Sequence, residues 1–318
     1  MRYRLLRYGI ALLLVIVMTA LAEFSGEPEI IFPEILALAV GSWVADKRPW
    51  KTTPFNLWLA PTLAALFGVL LMRYTPVPKG VMIVSAFAFV ALLLTLTRST
   101  LMPSISAAIL PILIGTRSWI YPISVCFLTA IVALIAWILD RSGKKAPLPV
   151  HQGTPGMDIH PGWIFWFWCR LLIAVGALAF AALALGIPFL IAPPLIVTFV
   201  EFSHRGSPLR KYPKKIFLLL SLAAWIGSAC HSTLALGWGW PFWLGAAVTS
   251  TALFFCYESL GMLFPPAAAI ALLPTLLPPA LLPYYPWQVM AGTLMFLMTS
   301  LLLFRPEPIK KDIATGSS

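Results

Sequence analysis

Long apolar runs alternate with short polar breaks along nearly the whole chain. They fall at roughly 5–22, 29–45, 55–73, 79–97, 101–116 and 118–139, and again at 163–186, 187–202, 215–236, 239–257, 260–279 and 284–304. Between the two sets lies a polar stretch rich in Pro and Gly, from Asp140 to about Pro161, which is the one linker in the chain. A helix needs about 20 apolar residues to cross a bilayer upright. Most of the runs approach that length; 101–116 and 187–202 fall short and suit short tilted spans or re-entrant pieces. Backbone exposed to lipid must bond internally, so the runs are expected to be helices. The pattern predicts an all-α, polytopic transmembrane helix bundle of about 12 spans. Residues 1–139 form a first transmembrane repeat and 140–162 a cytoplasmic linker; 163–305 form a second repeat and 306–318 a cytoplasmic tail.

Two of the runs carry an internal contradiction. The segment 260–279 is apolar yet holds Pro265, Pro266 and Pro274, and 101–116 holds Pro103 and Pro111 at the same spacing as Pro266 and Pro274. Proline removes a backbone donor and blocks a helix interior. Broken helices persist in membranes where the freed carbonyls face protein or a water-filled cavity, which is also where transporters place their sites.

The halves repeat in other respects. Arg7 and Arg170 open the first span of each half, and their separation equals that between Pro103 and Pro266. The basic stretch from Pro49 to Pro54 is matched by Pro208 to Pro213, with Gly68 and Gly227 equally far beyond. An even number of spans per half makes the repeats parallel, about a pseudo-two-fold axis along the membrane normal.

Composition agrees with the pattern: 60% of the 318 residues are hydrophobic and 10% charged, against roughly half and a quarter in soluble domains. The net charge of +11 raises nucleic acid as a partner, but the charges sit between apolar runs. With twelve crossings and a cytoplasmic N-terminus, the basic stretches 2–7, 47–51, 98, 141–145, 205–215 and 305–311 fall inside. Only Arg73, Lys79 and Arg117 fall outside, as the positive-inside rule requires. Both termini are therefore expected in the cytoplasm and the protein in the inner (plasma) membrane. Met1–Arg4, the following apolar run and Ala20–Ala22 imitate a secretory signal; the equivalent run in the second half makes a first span the expectation. The partners expected are the lipid bilayer and a small-molecule or ion substrate, with a homo-oligomer left open.

No enzyme signature is present. The cysteines Cys126, Cys169, Cys230 and Cys256 lack CxxC spacing, the histidines are scattered, and there is no HExxH, GxSxG, phosphate loop or dinucleotide fingerprint. Neither a catalytic residue, a metal site nor a cofactor is expected. The chemistry left is that of the broken segments. A helix that begins at a proline has an N-terminus with partial positive charge, and small residues after it allow close approach. Pro103, Ser104, Ser106, Pro265, Pro266 and Ala267 are the candidate substrate-binding residues, forming an anion site between the two ends. Glu34, beside Pro33, is a candidate carrier of a coupling proton or an interfacial carboxylate; Leu195 stands near the corresponding place in the second half. Glu258 is a second proton-coupling candidate, and with Ser259 it could cap the entry to the second broken segment. His231 could donate to an anion or take a proton near neutral pH, or simply bond between helices.

The run Ser207-Pro208-Leu209, Pro213-Lys214, Ser221 and Gly227, followed by Phe264-Pro265-Pro266-Ala267, resembles the HPP family of integral membrane proteins. That family takes its name from a His-Pro-Pro motif before a helix of small residues. Each half resembles the domain once, more clearly in the second, so the resemblance implies a tandem fusion. It also implies transport of a nitrite-like anion, since a plastid branch of the family is described as nitrite transporters. The family's histidine is Phe264 here, and Met102-Pro103-Ser104 stands in the first half. Proton or anion handling by that histidine is therefore absent. The expected function is secondary transport of a small inorganic or organic anion between the two broken helices, with one repeat rocking against the other. A non-transporting scaffold that binds a partner protein or lipid, and a channel along the pseudo-axis, are the alternatives.

Overall fold

The computed structural model describes residues 2–141, 161–204 and 206–304. Almost all of the expected linker and the whole of the expected tail lie outside them. The described residues form an all-α bundle with no strand. Its helices are α1 (Arg2–Ser25), α2 (Glu34–Ala39), α3 (Pro54–Tyr74), α4 (Lys79–Leu96), α5 (Pro103–Ile114) and α6 (Ile120–Arg141). They continue with α7 (Pro161–Ala184), α8 (Pro193–Ser203), α9 (Pro213–Cys230), α10 (Phe242–Leu260), α11 (Pro265–Leu272) and α12 (Tyr285–Leu303). Wider turns extend α2 through Val40–Val44 and α9 through His231–Gly237.

Seven of these are long and apolar enough to cross a membrane: α1, α3, α4, α6, α7, α9 and α12. The apolar runs at 101–116, 187–202 and 260–279 give shorter helices, and the run at 29–45 gives α2 with its wide turn. The cause is proline placement. Pro33, Pro103, Pro193 and Pro265 stand at or just before the helix starts, where their missing N–H is harmless and no helix can continue upstream. Gly115 in the left-handed region (φ 86°) ends α5, and Gly261 (φ 58°) ends α10.

The short helices are the most deeply packed. From Pro103 to Leu113 and from Phe264 to Pro274 every residue is buried. Close approach by glycine makes this possible. A Cβ on Gly68 of α3 would lie 2.2 Å from the carbonyl oxygen of Ala108 in α5, and one on Gly227 of α9 would lie 2.1 Å from that of Ala271 in α11. Tyr121 of α6 donates to Ala107 O (3.0 Å), and Tyr285 of α12 donates to Ile270 O (2.8 Å). Beyond these pairs, α1 packs along α10 and α7 along α4, while α2 lies on α11 and α8 on α5.

The connecting segments gather at two ends. At the basic end Arg48 pairs with Asp140, the Lys51 N–H donates to Thr100 Oγ1 (2.7 Å) while the Thr100 N–H donates to Lys51 O (3.0 Å), and Arg4 meets Glu258 at 3.0 Å. At the other end Arg73 donates to Arg117 O (2.9 Å), Thr116 to Glu29 (3.4 Å) and the Trp243 N–H to Glu23 (3.2 Å).

Candidate functional site

Both broken helices begin at the floor of a cavity of about 230 Å³ at the basic end. Met102 and Phe264–Pro265 supply the residues at the two helix starts, and Trp50 and Val200 complete a buried floor. The mouth is different in kind: Lys47, Pro49, Lys51 and Pro208 are exposed there. Arg48, Glu201 and His204 stand between. Trp50 is held at the floor from two sides. Its ring lies against Gly41, where a Cβ would come within 2.4 Å, and its Nε1–H donates to Glu201 Oε1 at 2.7 Å. Just outside, Arg210 donates to the Phe202 carbonyl at the end of α8 (3.3 Å) and covers the Phe202 ring. Burial lowers its pKa from the ordinary value.

The helix starts do not offer the free donors expected of them. At α5, Pro103 has no N–H, Ser104 N donates to Leu101 O (3.1 Å) and Ile105 N to Met102 O (2.9 Å). At α11 the first two residues are prolines, and Ala267 N donates to Phe264 O at 3.1 Å. These tight turns close the orphan groups on the chain itself. The dipoles remain, but anion contacts have to come from the charged side chains above.

Glu34 is separate from this cavity. It is 1% exposed and accepts from the Ser106 hydroxyl; its second oxygen, Oε2, has no hydrogen-bond partner, nor does the buried hydroxyl of Ser104. Glu34 therefore lies inside the protein, against the first broken helix, rather than at the outer interface. Leu195, which follows Pro194 at the start of α8, is buried likewise.

The other candidates disperse. Pro103, Pro266, Ala267 and both serines are buried in helix packing; only Pro265 lines the cavity. Glu258 does not cap α11, whose N-cap is Phe264 with no side-chain bond. It is instead bonded by Tyr8 (2.7 Å) and Arg4, tying α10 to α1. Both bonds converge on Oε1, so the side chain is drawn toward α1 rather than α11. His231 sits in the wide turn after α9, its ring 5.4 Å from that of Phe242, away from the broken-helix starts.

Sequence reasoning missed Trp50 and Glu201. Their positions differ by 151, so no local spacing joins them. The available signal was a lone acid in the apolar run of α8 opposite a basic, Trp-bearing stretch. No metal-binding cluster of His, Cys, Asp and Glu occurs among the described residues. No family model, no curated protein and no solved structure matches this chain, so its function is read from its own residues.

Proposed function

We propose that the protein is a secondary transporter of a small anion, with its site in the cavity at the basic end. The observation that carries the reading is the meeting of two proline-started helices, one from each half, on a cavity of about 230 Å³ rimmed by Lys47, Arg48 and Lys51. Ligand sites of this sort are mostly apolar with a few placed polar groups, and a basic mouth raises the local concentration of anions.

The same proposal takes the chain as about twelve crossings in two parallel repeats. Its support is the alternation of connecting segments between the two ends, and the matching element order of the two halves. The termini then share the basic, cytoplasmic side of an inner membrane. Kinship with the HPP family belongs to this reading, supported by the close approach at Gly227 and by Phe264-Pro265 at the cavity floor. Glu34 is the proposed carrier of a coupling proton, supported by its burial and its unbonded oxygen. A scaffold is the second reading, favoured by the complete burial of both broken helices beyond their first residues.

The test is flux into liposomes that carry the purified protein, across nitrite, nitrate, chloride, formate and larger organic anions. Saturable uptake is expected, with the half-saturation raised about ten-fold in Lys47→Gln/Lys51→Gln, the scale of a lost charge-assisted bond. Folded protein that moves no anion would leave the scaffold reading in its place.

A further inference from the structure

The cavity is graded from mouth to floor. Its exposed end holds Lys47 and Lys51; its buried end is built from Trp50, Met102, Val200 and Phe264. No backbone donor at the floor compensates, because Ser104 N, Ile105 N and Ala267 N are bonded to Leu101, Met102 and Phe264 carbonyls. The Trp50 Nε1–H is likewise committed to Glu201. A bare inorganic anion at this floor would exchange its water for hydrocarbon, a loss its size gives it no means to offset. A molecule with an anionic head at the lysines and hydrocarbon below meets a complementary surface at both ends. The size agrees: a dry cavity of about 150 Å³ accommodates benzene, and this one is about 230 Å³.

We propose that the site accepts a monoanion with a compact apolar body, its head at Lys47 and Lys51 and its body on Trp50, Met102, Val200 and Phe264. This rests on the reading of the cavity as the transport site. A second anionic group would have to lie beside the apolar body, where the Glu201 carboxyl and hydrocarbon supply no free donor or cation, so the site opposes dianions.

The experiment uses sulfonates, which stay charged at all working pH values and do not cross bilayers as neutral acids. Uptake of methane-, propane-, pentane- and benzenesulfonate is measured in liposomes carrying the full-length protein, with chloride and nitrite alongside. The half-saturation concentration is expected to fall about four-fold for each added methylene until the floor is filled. Val200→Trp, which adds bulk at the floor, is expected to weaken uptake of pentane- and benzenesulfonate more than that of methanesulfonate and so to flatten the dependence on tail length. A benzene-1,3-disulfonate is expected to compete weakly. Uptake of chloride or nitrite with no dependence on tail length would overturn the inference and leave anion transport standing. Uptake of nothing, by protein that elutes as one folded species, would overturn both. Equal losses for short and long sulfonates in Val200→Trp would also overturn the inference, since a general distortion does not distinguish them.

Discussion

Glu34 and Ser106 form a polar pair inside the first half; on the proposed repeat, Leu195 stands near the place of Glu34 in the second half and Ala269 at that of Ser106. A buried carboxylate is strongly destabilising when it loses its partner, yet a hydrocarbon replacement of the whole pair is often neutral or better. Ser106→Ala is therefore expected to cost about 1–3 kcal/mol, the range for an unsatisfied buried group. Glu34→Leu/Ser106→Ala, which copies the second half, is expected to melt at or above the wild-type temperature. Thermal melting in detergent checks both. If the pair serves proton coupling, the double variant keeps uptake down an anion gradient and loses acceleration by an inward proton gradient. A double variant less stable than Ser106→Ala alone would show that Glu34 has structural partners beyond Ser106.

At the scale of elements, the prolines told most of what was legible in the sequence. They placed the starts of α5 and α11, because a missing N–H is a local fact that no tertiary contact reverses. The paired Gly68 and Gly227 were legible only as an equal spacing, and the structure puts each at a close crossing, α3 on α5 and α9 on α11. What the local pattern could not carry was the fate of the first-turn N–H groups, which depends on whether the preceding residues turn tightly enough to receive them. The cavity wall was hidden for a different reason: Trp50, Glu201 and Phe264 are distant in sequence and meet only through packing. Nor did α2 announce its brevity, since 29–45 reads as one apolar run and is divided by Pro33. Gly227→Ala tests the crossing directly. The added Cβ would stand 2.1 Å from a backbone oxygen rather than from a movable side-chain end. A loss of about 1–3 kcal/mol or more is expected, read as a lowered melting temperature. Gly9→Ala, whose Cβ meets nothing within 4 Å, is the control and is expected to lose none.

For the molecule as a whole, the two ends should lie on opposite sides of the membrane. Lys47 and Lys79 are both exposed, one at the basic end and one at the other. With Cys126, Cys169, Cys230 and Cys256 replaced by alanine, Lys79→Cys is expected to react with a membrane-impermeant maleimide added outside intact cells. Lys47→Cys is expected to react only after the cells are opened. Labelling of both from outside would refute the alternation of crossings on which the proposed topology rests.

The packing of α1 along α10 and of α7 along α4 has a mechanical consequence. Each half lends its opening helix to the other, so the two are clasped like folded arms. A motion that swung residues 2–141 as one block past 161–304 would have to tear both clasps at once. Any moving parts in this molecule must therefore be cut differently from its gene: α1 travels with the second half, α7 with the first, and the short connections from α1 to α2 and from α7 to α8 become the hinges between them.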